Sequence, residues 1–161
     1  MDLESTLRDG REYLNAHAAT GCDCPCCGQR VKIYKRKPYA PPVAALCHLY
    51  RQHEYAHIPG LVKTNGLPIS ASADFSKLRF WGLVEELDDI RADGSPRNGY
   101  WRITPKGRKF VRGEITIPKY RLFLSGIDLG VPEDSPQLGI REALGSQFDY
   151  LEILRVDPEL F

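Results

Sequence analysis

The chain has 161 residues, 42% hydrophobic and 27% charged, with a formal net charge of +1, enough for one ordinary domain with an appendage or two small ones with a real core. No apolar run is long enough to span a membrane, and the N-terminal MDLESTLRDG lacks the basic and apolar regions of a secretion signal, so a cytoplasmic protein is expected. Charge is segregated: residues 29–63 sum to +6, 90–121 to +7 and 122–161 to −6, so either a polyanion meets the basic segments or they pair with the acidic tail.

Leu3, Leu7, Tyr13 and Leu14 recur at roughly helical spacing, Arg8 and Glu12 stand four apart, and Thr20-Gly21 ends the pattern. This predicts a helix over 3–18 whose task is to pack the adjoining cysteine segment. Four of the five cysteines, Cys22, Cys24, Cys26 and Cys27, fall there within six residues. An odd, crowded set is no disulfide framework; neighbouring thiolates converge on one soft cation. Cys24-Pro25-Cys26-Cys27-Gly28 contains the Cys-Pro-x-Cys-Gly knuckle of zinc ribbons, in which two thiolates point at one ion and glycine permits the tight turn.

A second Cys-x-x-Cys is absent, so the remaining ligands come from Cys22, Cys26, His17, Cys47, His48, His53 or His57. The expected site is a structural Zn2+ held by Cys22, Cys24, Cys27 and one later residue, with His57 taken as the fourth. For Cys47 alone, a small buried side chain on a helix stripe outweighs ligation, and for His57 alone a strand histidine hydrogen-bonded in the core does so. A redox role for Cys24 and Cys27 is disfavoured, because no thioredoxin-like alternation of strands and helices surrounds them.

Val31 to Lys35 alternates apolar and basic positions, a strand with one basic face, ended by Pro38, Pro41 and Pro42. Val43, Leu46, Leu49 and Tyr50 form the apolar stripe of a helix from Pro42 to about Gln52. Glu54–Ile58 reads as a short strand, although His53-Glu54-Tyr55-Ala56-His57 also matches H-E-x-x-H. Zinc-protease chemistry needs both histidines on one helix face. In a strand they lie about 13 Å apart, too far for one ion, so no catalytic residue and no enzyme are expected.

Ser72 or Asp74 can cap a third helix in which Phe75, Leu78 and Phe80 face inward and Gly82 ends the run. Leu83–Leu87 and Tyr100–Ile103 form a hairpin around a charged loop, and Thr104-Pro105 opens another helix. Phe80, Trp81, Tyr100 and Trp101 are expected in the core, an exposed tryptophan being the sign of a protein partner. Tyr120–Leu124 and Ile127–Val131 flank a Ser125-Gly126 turn, and residues 137–154 form one or two short helices.

FSKLRFWGLVEEL, the charged loop and YWRITPKGRKFV, about Ala73 to Arg112, resemble the recognition helix, wing and closing helix of MarR-like regulators. The CPxCG knuckle, YKR segment, KLRxWGL and WRITxKG are together similar to a broader set of phage and mobile-element proteins. The resemblance implies an α+β fold: an N-terminal helix and zinc knuckle over 1–40, a winged helix-turn-helix over 41–114, and a C-terminal β-hairpin plus helices over 115–161. It further implies a phage-type regulator acting in a bacterial host's cytoplasm. Ser76, Lys77 and Arg79 would then face the major groove of duplex DNA, and Arg91, Arg97 and Asn98 would reach the adjacent groove or phosphates. Asp74, Glu85, Glu86, Asp88 and Asp89 leave 64–89 at −3, which suits the alternative, an effector that binds a host protein complex such as RNA polymerase or a defence machine.

Overall fold

The structure is a computed structural model and describes residues 2–88, 92–95 and 99–154. In chain order its elements are α1 (Leu7–His17), β1 (Cys22–Asp23), β2 (Arg30–Val31), β3 (Tyr34–Arg36), α2 (Ala40–Leu49), β4 (Ala56–His57), α3 (Ile58–Thr64) and α4 (Ile69–Ala73). A 3-10 helix (Phe75–Trp81), β5 (Val84–Glu86), β6 (Tyr100–Ile103), α5 (Pro105–Val111), β7 (Ile117–Pro118), β8 (Arg121–Leu124), β9 (Ile127–Gly130), β10 (Gln137–Leu138), α6 (Ile140–Leu144) and α7 (Tyr150–Leu154) complete the order. This is a mixed α+β chain with small antiparallel sheets. Among the described residues no helix is long and apolar enough to cross a membrane.

The chain divides into two units, and the division is not the linear one expected from sequence. The first comprises residues 1–37 and 120–135. Its helix begins at Leu7 rather than Leu3 because Thr6 and Asp9 cap each other: the Thr6 hydroxyl accepts the Asp9 N–H and the Asp9 carboxylate accepts the Thr6 N–H. No residue of α1 is buried, and Leu3 and Leu7 are exposed, so α1 does not lay an apolar stripe on the knuckle as expected. The link is made just beyond it, where buried Ala18 accepts the Ile33 N–H through its carbonyl.

β3 pairs with β8, which turns through Ser125-Gly126 into β9, giving the order β3-β8-β9. Both turn residues have positive φ, as a tight hairpin demands. Tyr34 lies opposite Phe123, the buried residue of this sheet, and Arg121 crosses to Asp128 through two guanidinium nitrogens, the shortest contact being 2.8 Å.

The second unit comprises residues 38–119 and 136–161. Its centre is α2, in which Val43 to Cys47 and Leu49 have no solvent exposure. A helix apolar on all sides must be surrounded, and α3, α4, α5, α6, α7 and the 3-10 helix all pack on it. Arg108 donates to the carbonyls of Tyr50 (3.3 Å) and Gln52 (3.0 Å), satisfying orphan acceptors just past the end of α2.

In place of a regular third helix the chain makes α4 and then the 3-10 helix. Three residues per turn eclipse positions i, i+3 and i+6, which is why Phe75, Leu78 and Trp81 are buried and Phe80 is only half-buried. The Trp81 indole donates to the Pro118 carbonyl at 2.7 Å. Trp101 packs edge-on against Phe75 at 6.1 Å, so both tryptophans belong to the core.

β4, β6 and β5 form the second three-stranded sheet, in that order, with Ala56 opposite Trp101 and Val84 opposite Ile103. Thr104 closes it: its hydroxyl donates to the Gly82 carbonyl and accepts the Gly107 N–H, capping α5. β7 and β10 pair, and the Tyr150 hydroxyl of α7 donates to the Val111 carbonyl at 2.6 Å. The expected 115–161 extension is therefore split, its hairpin in the first unit and its helices in the second.

Candidate metal knuckle and nucleic-acid interface

β1 and β2 form a hairpin with Cys22 opposite Val31 and Asp23 opposite Arg30, and the cysteine knuckle is its tip. The Cys24 N–H donates to the Gln29 carbonyl and the Gly28 N–H to the Cys24 carbonyl, closing a turn that Gly28 completes at φ 74°. The Cys24 thiol accepts the backbone N–H groups of Cys27 and Cys26, which with those residues' thiols hold its pKa below the ordinary cysteine value. Such preformed amides favour a thiolate, the form in which sulfur binds metal.

The other expected ligands are placed differently. Cys22 is buried at the base of the hairpin, and among the described residues no three His, Cys, Asp or Glu side chains converge on one point. His57 belongs to the second unit and is exposed, not in the core; its Nδ1 accepts the Gly60 N–H at 3.2 Å, capping α3, and its ring lies 5.1 Å from that of Tyr100. Cys47, fully buried in α2, has its thiol pushed up to about 12 by desolvation, as a small core side chain does. In HEYAH, His53 lies in a bend and His57 in β4, so the pair does not share a helix face.

Of the residues expected to meet DNA, Lys77 and Arg79 are exposed on the 3-10 helix and Ser76 is half-buried. Lys77 is ion-paired with Asp74 at 2.7 Å, and the Arg79 guanidinium lies 4.9 Å from the Phe80 ring centre. Arg91, Arg97 and Asn98 lie outside the described residues. Arg102 pairs with Glu85 across β5 and β6 and sits 4.9 Å over the Tyr55 ring. Lys119 pairs with Glu142, an instance of the basic segment meeting the acidic tail.

Sequence reasoning missed Tyr34, 46% exposed, with the Lys32 ammonium 5.7 Å and the Arg36 guanidinium 5.5 Å from its ring. The alternation around it was legible; that its aromatic member would face solvent was not.

In comparisons with known proteins the chain matches no family model, no curated protein and no solved structure.

Proposed function

We propose that the chain is a winged-helix DNA-binding regulator of the phage type, with a structural zinc in its N-terminal unit, working in the cytoplasm of a bacterial host. The observation that carries this reading is the strand order β4-β6-β5 within the succession α2, β4, α3, α4 with its 3-10 continuation, β5, β6, α5. A winged helix needs this order: the short strand after the first helix pairs with the returning strand of the wing. Lys77 and Arg79 lie on the segment that would enter the major groove, and Arg91 and Arg97 in the wing would reach phosphates. Zinc would be held by Cys24 and Cys27, with Cys22 the third thiolate; it would supply folding free energy to the hairpin tip.

One observation favours the second reading, an effector that docks on a host protein complex: Asp74 engages Lys77, lowering its availability to phosphate.

Titration of duplex DNA at several salt concentrations tests the choice. DNA binding predicts a steep salt dependence whose slope falls by about 0.9 for each phosphate that Lys77→Ala or Arg79→Ala leaves unneutralised. No binding by the parent protein at low salt, with a host protein co-purifying after nuclease treatment, would transfer the assignment to the effector.

A further inference from the structure

Residues 30–37, RVKIYKRK, carry five basic side chains and no acid. Arg30 and Val31 form β2 and Tyr34 to Arg36 form β3, an edge strand of the three-stranded sheet, so among the described residues one side of β3 is not covered by a neighbouring strand. Extended backbone sends alternate side chains to one face, and Lys32, Tyr34 and Arg36 follow that spacing, with both cations within 6 Å of the ring centre. Lys35, on the opposite parity, lies 4.3 Å from the ring centre of Tyr120.

The nearby carboxylates do not neutralise this face. Asp23 is engaged by Arg30 and Asp128 by Arg121, and among the described residues none of Lys32, Lys35, Arg36 and Lys37 is ion-paired. An exposed tyrosine in a core-forming sheet is poorly explained by folding alone, since its ring forgoes the burial that Phe123 opposite it retains.

We propose that this face of the first unit binds single-stranded nucleic acid, with a base stacked on Tyr34 and the flanking phosphates on Lys32 and Arg36. The chemistry is that of single-strand binders in general: a cationic track supplies affinity for the backbone, and an exposed ring accepts any base because every base has a π face. Long, flexible cations at the ring's margins can swing to the phosphates while the ring takes the base. A duplex does not satisfy the site, since its bases are stacked on one another. The proposal does not depend on the winged helix, which lies in the other unit.

The test is fluorescence anisotropy of the full chain with labelled oligothymidine and oligouridine of about 16 nucleotides, at several salt concentrations, against a duplex of equal length. Tyr34→Ala should weaken single-strand binding about 5- to 150-fold, while Tyr34→Phe should bind like the parent. Lys32→Ala and Arg36→Ala should each lower the salt slope by about 0.7. Preference for either oligonucleotide fixes DNA or RNA as the natural strand. No binding of either at low salt would overturn the proposal, as would a Tyr34→Ala variant that binds like the parent or a Tyr34→Phe variant as weak as the alanine. Near-ultraviolet circular dichroism of each variant separates a missing stacking ring from a disrupted fold.

Discussion

Gly107, in the first turn of α5, lies so close to the carbonyl of Leu83 that a Cβ there would fall well inside contact distance of the oxygen and of the Ile103 side chain. The Thr-Pro-x-Gly that opens α5 is thus a packing device: Thr104 caps the helix and ties it to Gly82, and Gly107 lets the helix backbone settle close to Leu83.

Gly107→Ala should therefore destabilise the second unit by about 1–3 kcal/mol, because the neighbour that must move is backbone. Both tryptophans sit in this unit's core, so urea unfolding followed by tryptophan fluorescence reads it directly. Gly10→Ala, a helical position with nothing within 4 Å of the added carbon, should instead stabilise α1 by about 0.4–1 kcal/mol. A Gly107→Ala midpoint equal to the parent's would show that the helix can shift without cost.

One zinc per chain is expected on elemental analysis of protein purified without chelator. Cys24→Ser and Cys27→Ser should abolish it, because each removes a knuckle thiolate, and Cys22→Ser should lower occupancy under chelator competition. Cys47→Ser should keep its zinc and lose stability, since its thiol is fully buried among apolar side chains. A metal-free parent, or retention of zinc by Cys24→Ser, would remove the metal centre.

The parts of this fold legible in sequence are those set by local rules. Pro41-Pro42 before an apolar run predicts α2, Thr104-Pro105 predicts α5, and the Ser125-Gly126 turn predicts the β8-β9 hairpin. Partnership between distant segments is not legible. β3 needs a neighbour for its hydrogen bonds and finds β8, some 85 residues later, through the Tyr34–Phe123 register. Nothing in the local sequence of either strand names the other. The 3-10 helix reads as an ordinary helix in sequence because positions i and i+3 lie close together at either period; only the i+6 position separates them, and Trp81 there shares the buried face of Phe75 and Leu78.

Acid should weaken the second unit in two separable windows. The His48 imidazole, half-buried and beside Arg51, is held below its ordinary value of 6.5, first by desolvation and then by the guanidinium. The unfolded chain therefore binds a proton that the folded chain refuses, and stability present above about pH 6.5 falls as pH drops below it. His48→Gln should flatten that window in urea melts followed by tryptophan fluorescence. Carboxylates act lower: Glu114, held down by its hydrogen bond to Arg112, protects stability that is lost only as pH falls below about 4.5. A pH dependence between about 5 and 7 that survives His48→Gln would place its origin elsewhere.

Excision of the inserted hairpin should separate the two units' stabilities. The Lys119 N–H donates to the Pro136 carbonyl at 2.8 Å, and Pro118 lies opposite Gln137 in the β7-β10 ladder, so residues 120–135 leave the second unit and return to it at adjacent points. Replacing 120–135 by a short glycine-containing turn should close the second unit without strain, because the two ends are already a hydrogen-bond length apart. The tryptophan-monitored unfolding midpoint should stay within a few degrees of the parent's, a shift of order 1 kcal/mol or less. Residues 1–37 should fare differently. They lose both the strand that pairs with β3 and the buried Phe123, and retain only α1, which buries none of its residues, and the short β1-β2 hairpin, too little to stand alone in water. Hydrogen exchange should then show rapid exchange across residues 1–37 and native protection in α2 and α6. Loss of the cooperative tryptophan transition in the deletion variant would show instead that the second unit needs the hairpin to fold.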